Sequence, residues 1–181
     1  THVFCTQRGK PVSGLYQSAT RRVLPVEDCL LERENVQRIM KSVRRLCLTL
    51  GIPVYDEEKR RGFLRNVLVR ESFSTGEVMV VIVSGRDKFR EKEDFTRALL
   101  QLHPEITTLV WNVNFSDTTV FLGQKSEILY GDGYLTDTLC GLSFRISPKS
   151  FYQINPVQTE KLYGLAIDYA GLKGNETVID A

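Results

Sequence analysis

The residue best placed for cofactor chemistry is Asp180, which directly follows the β-branched run Thr177-Val178-Ile179. Doubly wound sheets bind nucleotides and related cofactors at the carboxyl ends of their strands, so an acidic residue at the end of a buried strand is typical of such a site. The glycine-rich loop that completes these sites is missing before the last residue, Ala181. Taken alone, the pattern is therefore only suggestive of a cofactor site.

The cysteines offer a second source of chemistry. Cys5, Cys29, Cys47 and Cys140 lie far apart and form no C-x-x-C pair, so the spacing of a zinc site is absent. We predict no metal site and expect reduced thiols, the usual state in the cytosol. Cys47 lies on the apolar face of a predicted helix and is interpreted as a packing residue.

Composition restricts the class of protein. Of the 181 residues, 42% are hydrophobic and 25% are charged, which is typical of a soluble globular protein and excludes a disordered chain. No apolar run approaches the ~20 residues that a membrane-spanning helix needs, and we expect a cytoplasmic protein. The net charge of +2 is compatible with RNA binding without arguing for it. Short basic clusters (Arg21-Arg22, Arg44-Arg45, Lys59-Arg60-Arg61) are each interpreted first as solvated surface.

Hydrophobic periodicity predicts an α+β protein. Apolar residues recur at helical spacing over 32–50 and 88–102, and Gly51 is a suitable left-handed cap for the first helix. Alternating and β-branched segments predict strands at 3–6, 63–71, 78–84, 106–113, 118–122, 125–130, 134–139 and 142–147. Segments 106–113 and 118–122 are expected to pair. The order resembles a ferredoxin-like split β-α-β sheet with helices on one face, extended by short antiparallel strands.

The last segment has the signals of a separate helix. Asn155 is predicted as its N-cap, Pro156 as its first residue and Gln158 as the partner in a capping box. Leu162, Leu165, Ala166 and Tyr169 form its apolar stripe, and Gly171 ends it.

Several segments carry a resemblance to a known family. These are SFRISPKSFYQIN (143–155) and the tail that follows it (156–181), preceded by GFLRNVLVR (62–70), GEVMVVIVSG (76–85), PEITTLVWNVN (104–114), LYGDGYLTDTLCGLSF (129–144) and, more loosely, 14–32. Together they resemble the S-adenosylmethionine-dependent RNA uracil-5-methyltransferases of the 23S ribosomal RNA type. Ile154 favours the ribosomal over the transfer-RNA members.

The resemblance implies a division of the chain and a reaction. Residues 1–147 would be a central domain, and 148–181 the linker helix and first strand of a truncated, Rossmann-like methyltransferase domain. The family adds a cysteine to carbon 6 of uracil, methylates carbon 5 and then removes its proton with a base. No cysteine here has the family's D-P-P-R-x-G context, so catalytic residues are expected beyond Ala181. We therefore interpret the chain as an inactive internal piece of a longer enzyme.

Site residues follow from the same resemblance. Gln153 matches a glutamine that contacts the cofactor, although it could instead satisfy backbone groups before the helix cap. Cys29 lies where some relatives place an iron–sulfur ligand, but the other ligands would precede Thr1, so a cluster is not expected here.

Ribosomal RNA is the expected partner. Arg44, Arg45, Arg145 and Lys149 are candidate RNA contacts, and solvated surface is the alternative for each. Association through the truncated C-terminal segment is also expected. The rival interpretation of the whole chain is a non-catalytic RNA- or protein-binding module with a ferredoxin-like sheet.

Overall fold

The structure is a computed structural model, and it describes residues 1–8, 10–20, 22–56, 59–116 and 120–179. Within these ranges no helix is long and apolar enough to cross a membrane. The strands and helices, in chain order, are β1 (His2–Gln7), β2 (Lys10–Tyr16), β3 (Val23–Pro25), α1 (Glu34–Thr49), β4 (Leu64–Glu71), β5 (Val78–Ser84), α2 (Lys92–Leu102), β6 (Ile106–Val113), β7 (Lys125–Tyr130), β8 (Leu135–Leu139), β9 (Leu142–Ile146) and α3 (Pro156–Ala170).

Seven of these strands form one mixed sheet in the order β3-β2-β1-β4-β5-β6-β7. Neighbouring strands are antiparallel except β5 and β6, which are parallel and are joined by α2. Every residue of β5 is buried, as expected for a continuous apolar strand that is covered on both faces of the sheet. The α+β class predicted from the sequence is therefore confirmed.

The ferredoxin-like description is not confirmed. In a split β-α-β unit, the two strands that a helix connects are parallel and are separated by another strand. Here α1 connects β3 to β4, which run antiparallel and are separated by two strands, β2 and β1. Strands β5 and β6 are parallel, but they are direct neighbours. Neither connection is therefore a split β-α-β unit.

Both central helices lie on one face of the sheet, as predicted. Helix α1 buries five apolar side chains and ends before Gly51, whose φ of +65° is the predicted left-handed cap. With Phe95 and Leu99 of α2, these side chains join the core formed by one face of β4, β5 and β6. Burying an aliphatic side chain of this size contributes roughly 1.5–3 kcal/mol, so this layer is the main source of stability.

The hairpin β8–β9 covers the opposite face of the sheet. Leu135 and Ile146 of the hairpin pack against Met79, Val81 and Val110 of the sheet. Both strands lie within one residue of their predicted bounds. The hairpin therefore closes a second, smaller core and positions the segment that follows Ile146.

Asp137 fastens this hairpin to the turn between β4 and β5. Its carboxylate is 3% exposed and accepts hydrogen bonds from the backbone N–H groups of Phe73 (3.0 Å), Ser74 (3.0 Å) and Thr138 (2.8 Å). Burial by itself raises the pKa of Asp137, but the hydrogen bonds from Ser74, Phe73 and Thr138 together outweigh it and lower the pKa below its ordinary value. The charged form of the Asp137 carboxylate therefore stabilises the fold.

Two predictions about strands were wrong. Strand β6 pairs with β7 instead of with 118–122; Val120–Leu122 form no strand, and Thr118 and Thr119 lie outside the described residues. No strand forms at 177–179 either, where Val178 is 63% and Ile179 86% exposed. A strand forms only when a neighbour takes up its N–H and C=O groups, and nothing described here lies beside this one. Asp180 and Ala181 also lie outside the described residues.

Helix α3 forms as predicted but remains exposed. The Asn155 side chain accepts a hydrogen bond from the Gln158 N–H at 3.1 Å, Pro156 begins the helix and Gly171 ends it in the left-handed conformation. Thr159 is its one buried residue. Its predicted apolar stripe faces solvent, with Leu162 61% exposed.

Candidate functional site

The segment between β9 and α3 is held by local hydrogen bonds. The Ser150 N–H donates to the Ser147 carbonyl at 3.1 Å, and the Ser147 N–H donates to the Ser150 hydroxyl at 3.1 Å. Ile146 is buried in the second core immediately before this turn, and Asn155, five positions after Ser150, caps α3. The backbone that carries Gln153 is therefore fixed at both ends.

Gln153 itself is half-buried, and its side-chain amide makes no hydrogen bond to any residue that the structure describes. The alternative reading from the sequence, that this amide satisfies backbone groups before the helix, does not match the geometry because Asn155 caps the helix itself. An unused amide offers two donors and an acceptor to a ligand without adding charge. These properties fit a contact to the amino-acid end of S-adenosylmethionine.

The two aromatic residues before Gln153 divide between core and surface. Tyr152 packs on the second core, and its ring centroid lies 6.1 Å from that of Phe144, while Phe151 is 84% exposed. The Tyr152 hydroxyl is buried and has no hydrogen-bond partner among the described residues. Burial foremost raises the pKa of Tyr152, which keeps the phenol neutral.

Arg145 and Lys149 lie on the hairpin side of the sheet. The Arg145 guanidinium stacks 4.0 Å from the centre of the Tyr134 ring and also donates a hydrogen bond to its hydroxyl. The Lys149 ammonium donates to the Gln124 side-chain oxygen at 3.1 Å. Both side chains remain exposed, so both charges are accessible to a polyanion.

Arg44 and Arg45 lie on α1, on the other side of the sheet. Arg44 is only 12% exposed in its side chain and donates to the Ser13 hydroxyl at 2.7 Å and to Glu27 at 3.0 Å. Arg44 therefore ties the helix to β2, whereas Arg45 is exposed. The sheet separates this pair from Arg145 and Lys149, so the four predicted RNA contacts do not form one surface.

No metal site is apparent in the described residues, in which no three side chains of ligand type come together. The Cys29 thiol is half-buried, and the backbone carbonyl of this residue accepts a hydrogen bond from Gln37 at 2.7 Å. An iron–sulfur cluster needs a set of thiolates, and Cys29 alone does not fit one.

A basic groove beside β1 and β3 was not predicted from the sequence. This N-terminal groove has a volume of about 1010 Å³. It lies between β1, β3 and residues 53–56 and 61–62, and its described walls carry three arginines and two tyrosines: Arg22, Arg61, Arg86, Tyr16 and Tyr55. The basic clusters at 21–22 and 59–61 were the available signal, but the sequence could not show that Arg22 and Arg61 line one groove; Arg21 lies outside the described residues.

The chain was compared with known proteins. No family model matches it. It is 38% identical over 175 residues to an uncharacterized RNA methyltransferase of Halalkalibacterium halodurans, covering 97% of this chain and 38% of that protein. An uncharacterized RNA methyltransferase of Oceanobacillus iheyensis is 39% identical over 176 residues, with the same two coverages. One of Staphylococcus aureus is 34% identical over 174 residues, covering 96% of this chain and 38% of the relative.

A solved structure has a similar fold. It is the crystal structure of the Pyrococcus abyssi tRNA (uracil-54, C5)-methyltransferase in complex with S-adenosyl-L-homocysteine, with a TM-score of 0.74 and 20% identity. The match covers 93% of this chain and 40% of that one.

Over almost its whole length, this chain is homologous to proteins named RNA methyltransferases. The predicted resemblance to RNA methyltransferases is thereby confirmed, whereas its uracil-5 and ribosomal RNA parts stay predictions. The chain spans about two fifths of the length of these relatives (38%).

Proposed function

We propose that this chain belongs to a cytoplasmic enzyme that transfers a methyl group from S-adenosylmethionine to carbon 5 of a uridine in 23S ribosomal RNA. Residues 1–147 would form its central, RNA-contacting domain, and 148–181 would begin the methyltransferase domain. The relatives are named RNA methyltransferases, and the solved structure with a similar fold is named a tRNA (uracil-54, C5)-methyltransferase. The choice of ribosomal RNA rests on the SFYQIN segment.

The observation that carries the proposal is the free amide of Gln153. This side chain is half-buried on a segment fixed at both ends, and its hydrogen-bonding groups are unused within the described chain. Bound S-adenosylmethionine would supply the methyl group. Gln153 would hold the amino-acid end of that cofactor, because a neutral amide can pair with both an ammonium and a carboxylate.

The exposed C-terminal helix supports the proposed division of domains. Hairpin residue Ile146 contributes to the second core, whereas α3 buries only Thr159 and exposes Leu162, Leu165 and Tyr169. An apolar helix face of this kind gains stability when another layer covers it. We infer that the remainder of a methyltransferase domain covers α3 in the enzyme.

Methyl transfer tests the proposal directly. A protein of the relatives' length that contains this chain, here called the full-length enzyme, is incubated with labelled S-adenosylmethionine and either unmodified 23S ribosomal RNA or unmodified transfer RNA. We expect label in 23S RNA and 5-methyluridine in its nucleoside digest by mass spectrometry. Label in transfer RNA alone would refute the ribosomal substrate, and label in neither RNA would favour the non-catalytic binding module.

A further inference from the structure

The N-terminal groove has an excess of unpaired positive charge. Arg22, Arg61 and Arg86 line it and are exposed, and their guanidinium groups have no ion pair or hydrogen bond within the described chain. The acidic side chain in its described lining is Asp56, which forms an ion pair with Lys59 at 3.3 Å. Like charges gathered on a concave surface raise the local concentration of anions, so the groove favours a polyanion.

The groove also contains an aromatic ring that is held in place. The Arg65 guanidinium lies 4.7 Å from the centre of the Tyr55 ring. Gly85 packs so closely that a side-chain carbon there would come within 2.4 Å of the same ring. Arg65 is itself anchored, since it donates to the carbonyls of Asn114 and Ser116 at 2.9 Å each. Tyr55 therefore loses little rotamer freedom when a ligand stacks on it.

We infer that the N-terminal groove binds a single-stranded segment of RNA, with phosphates on Arg22, Arg61 and Arg86 and a base against Tyr55. Positively charged grooves with stacking aromatic rings are the usual design for single-stranded nucleic acid. An acidic peptide would use the arginines but would gain no stacking from the tyrosines. The inference rests on the proposed function and adds to it a second surface, whose lining does not include Gln153 and which would hold RNA flanking the modified uridine.

The arginines are tested by salt-dependent binding of the 181-residue chain to a fluorescently labelled oligouridylate of about 12 nucleotides. The variant carries Arg22→Gln, Arg61→Gln and Arg86→Gln. Each phosphate contact to a single strand contributes about 0.7 to the slope of log affinity against log salt, so the slope should fall by about 2. Between roughly 50 and 200 mM salt, the original chain should lose about 20-fold more affinity than the variant.

A matched control removes three positive charges elsewhere. Arg90→Gln, Arg97→Gln and Lys161→Gln change exposed residues before α2, in α2 and in α3, outside the groove lining. This control should keep a slope close to that of the original chain. Equal slopes for the groove variant and the control would overturn the inference, since the effect would then come from net charge alone.

Substitution of Tyr55 distinguishes binding of RNA from binding of other polyanions. Tyr55→Ala should weaken oligouridylate binding about 5- to 150-fold, the range that corresponds to one lost base stack, while Tyr55→Phe should keep it. Circular dichroism and thermal unfolding check that the variants remain folded. If the arginine variant binds weakly but Tyr55→Ala binds normally, the groove is a site for polyanions such as an acidic peptide, and the inference is wrong.

The inference and the proposed function can fail separately. In the full-length enzyme, the arginine variant should raise the RNA concentration needed for half-maximal methylation and leave the rate at saturating RNA nearly unchanged. If the variant methylates RNA with no change in that concentration, RNA binding by the groove is refuted and the proposed function is unaffected. Groove-dependent RNA binding by a full-length protein that methylates no RNA would refute the proposed function.

Discussion

Replacing Asp137 by Asn tests how the hairpin β8–β9 is fastened to the sheet. One carboxylate oxygen accepts from Phe73, and the other from Ser74 and Thr138. An Asn side chain keeps one acceptor oxygen and turns its NH2 group toward a backbone N–H. The variant therefore loses at least one hydrogen bond to a charged group, at a cost of about 1.5–3 kcal/mol. For a chain of this size, that corresponds to a fall in Tm of roughly 3–12 °C.

The assay is urea unfolding, with Asp132→Asn as the control. Asp132 is exposed, has no hydrogen bond in the described chain and lies only five positions away, so its replacement removes the same charge without the contacts. Hydrogen exchange should show that protection is lost first in β8 and β9. Equal unfolding midpoints for the two variants would show that the Asp137 hydrogen bonds do not stabilise the fold.

The same carboxylate gives a pH dependence with a definite sign. Because its folded-state pKa is lowered, the contribution of Asp137 is fully present above the unfolded value of about 3.9 and is lost as the pH falls through the lower folded value. The difference in unfolding free energy between the original chain and Asp137→Asn should therefore be constant near neutrality and shrink below about pH 4. A difference that persists unchanged in acid would contradict this account.

Three further predictions concern other side chains. In the full-length enzyme, Gln153→Ala should weaken S-adenosylmethionine binding about 3- to 100-fold by calorimetry with the Tm nearly unchanged; a large fall in Tm with unaltered affinity would show a structural role. Arg44→Ala should lower the unfolding free energy by about 1–3 kcal/mol because its guanidinium is bound within the fold, whereas Arg45→Ala should not. A maleimide should label exposed Cys140 long before Cys47, since burial raises the pKa of the Cys47 thiol to about 12. Mass spectrometry of the digest measures the order of labelling, and labelling of Cys47 first would contradict this prediction.

Local signals in the sequence predicted most elements well. The stripe on α1, the Gly51 cap and the Asn155-Pro156 start of α3 were identified because each depends on neighbouring residues. The short strands β2 and β3 were not predicted. They contain Pro11 and Pro25 at positions that a central strand would not tolerate, which is acceptable near the edge of the sheet.

The order of strands could not be predicted in the same way. Periodicity indicates which face of a strand is buried, but it does not indicate which strand lies beside it. The pairing of β1 with β4 depends on contacts between residues such as His2 and Val67, which are far apart in sequence. The same limit explains why the N-terminal groove was not predicted, whereas Gln153 was proposed as a site residue because its neighbours in the sequence carry the family resemblance.

The position of β1 also has a consequence during synthesis on the ribosome. The strands β1, β2 and β3 leave the ribosome before β4, so β1 cannot pair with β4 until Val67, the partner of His2, has been synthesised. At a synthesis rate of about 5–20 residues per second, the wait is roughly 3–13 s. During this time the edge of β1 that later pairs with β4 has unpaired N–H and C=O groups, which can pair with another nascent chain. Slower translation of the residues between β1 and β4 would lengthen this interval and favour aggregation of the nascent protein.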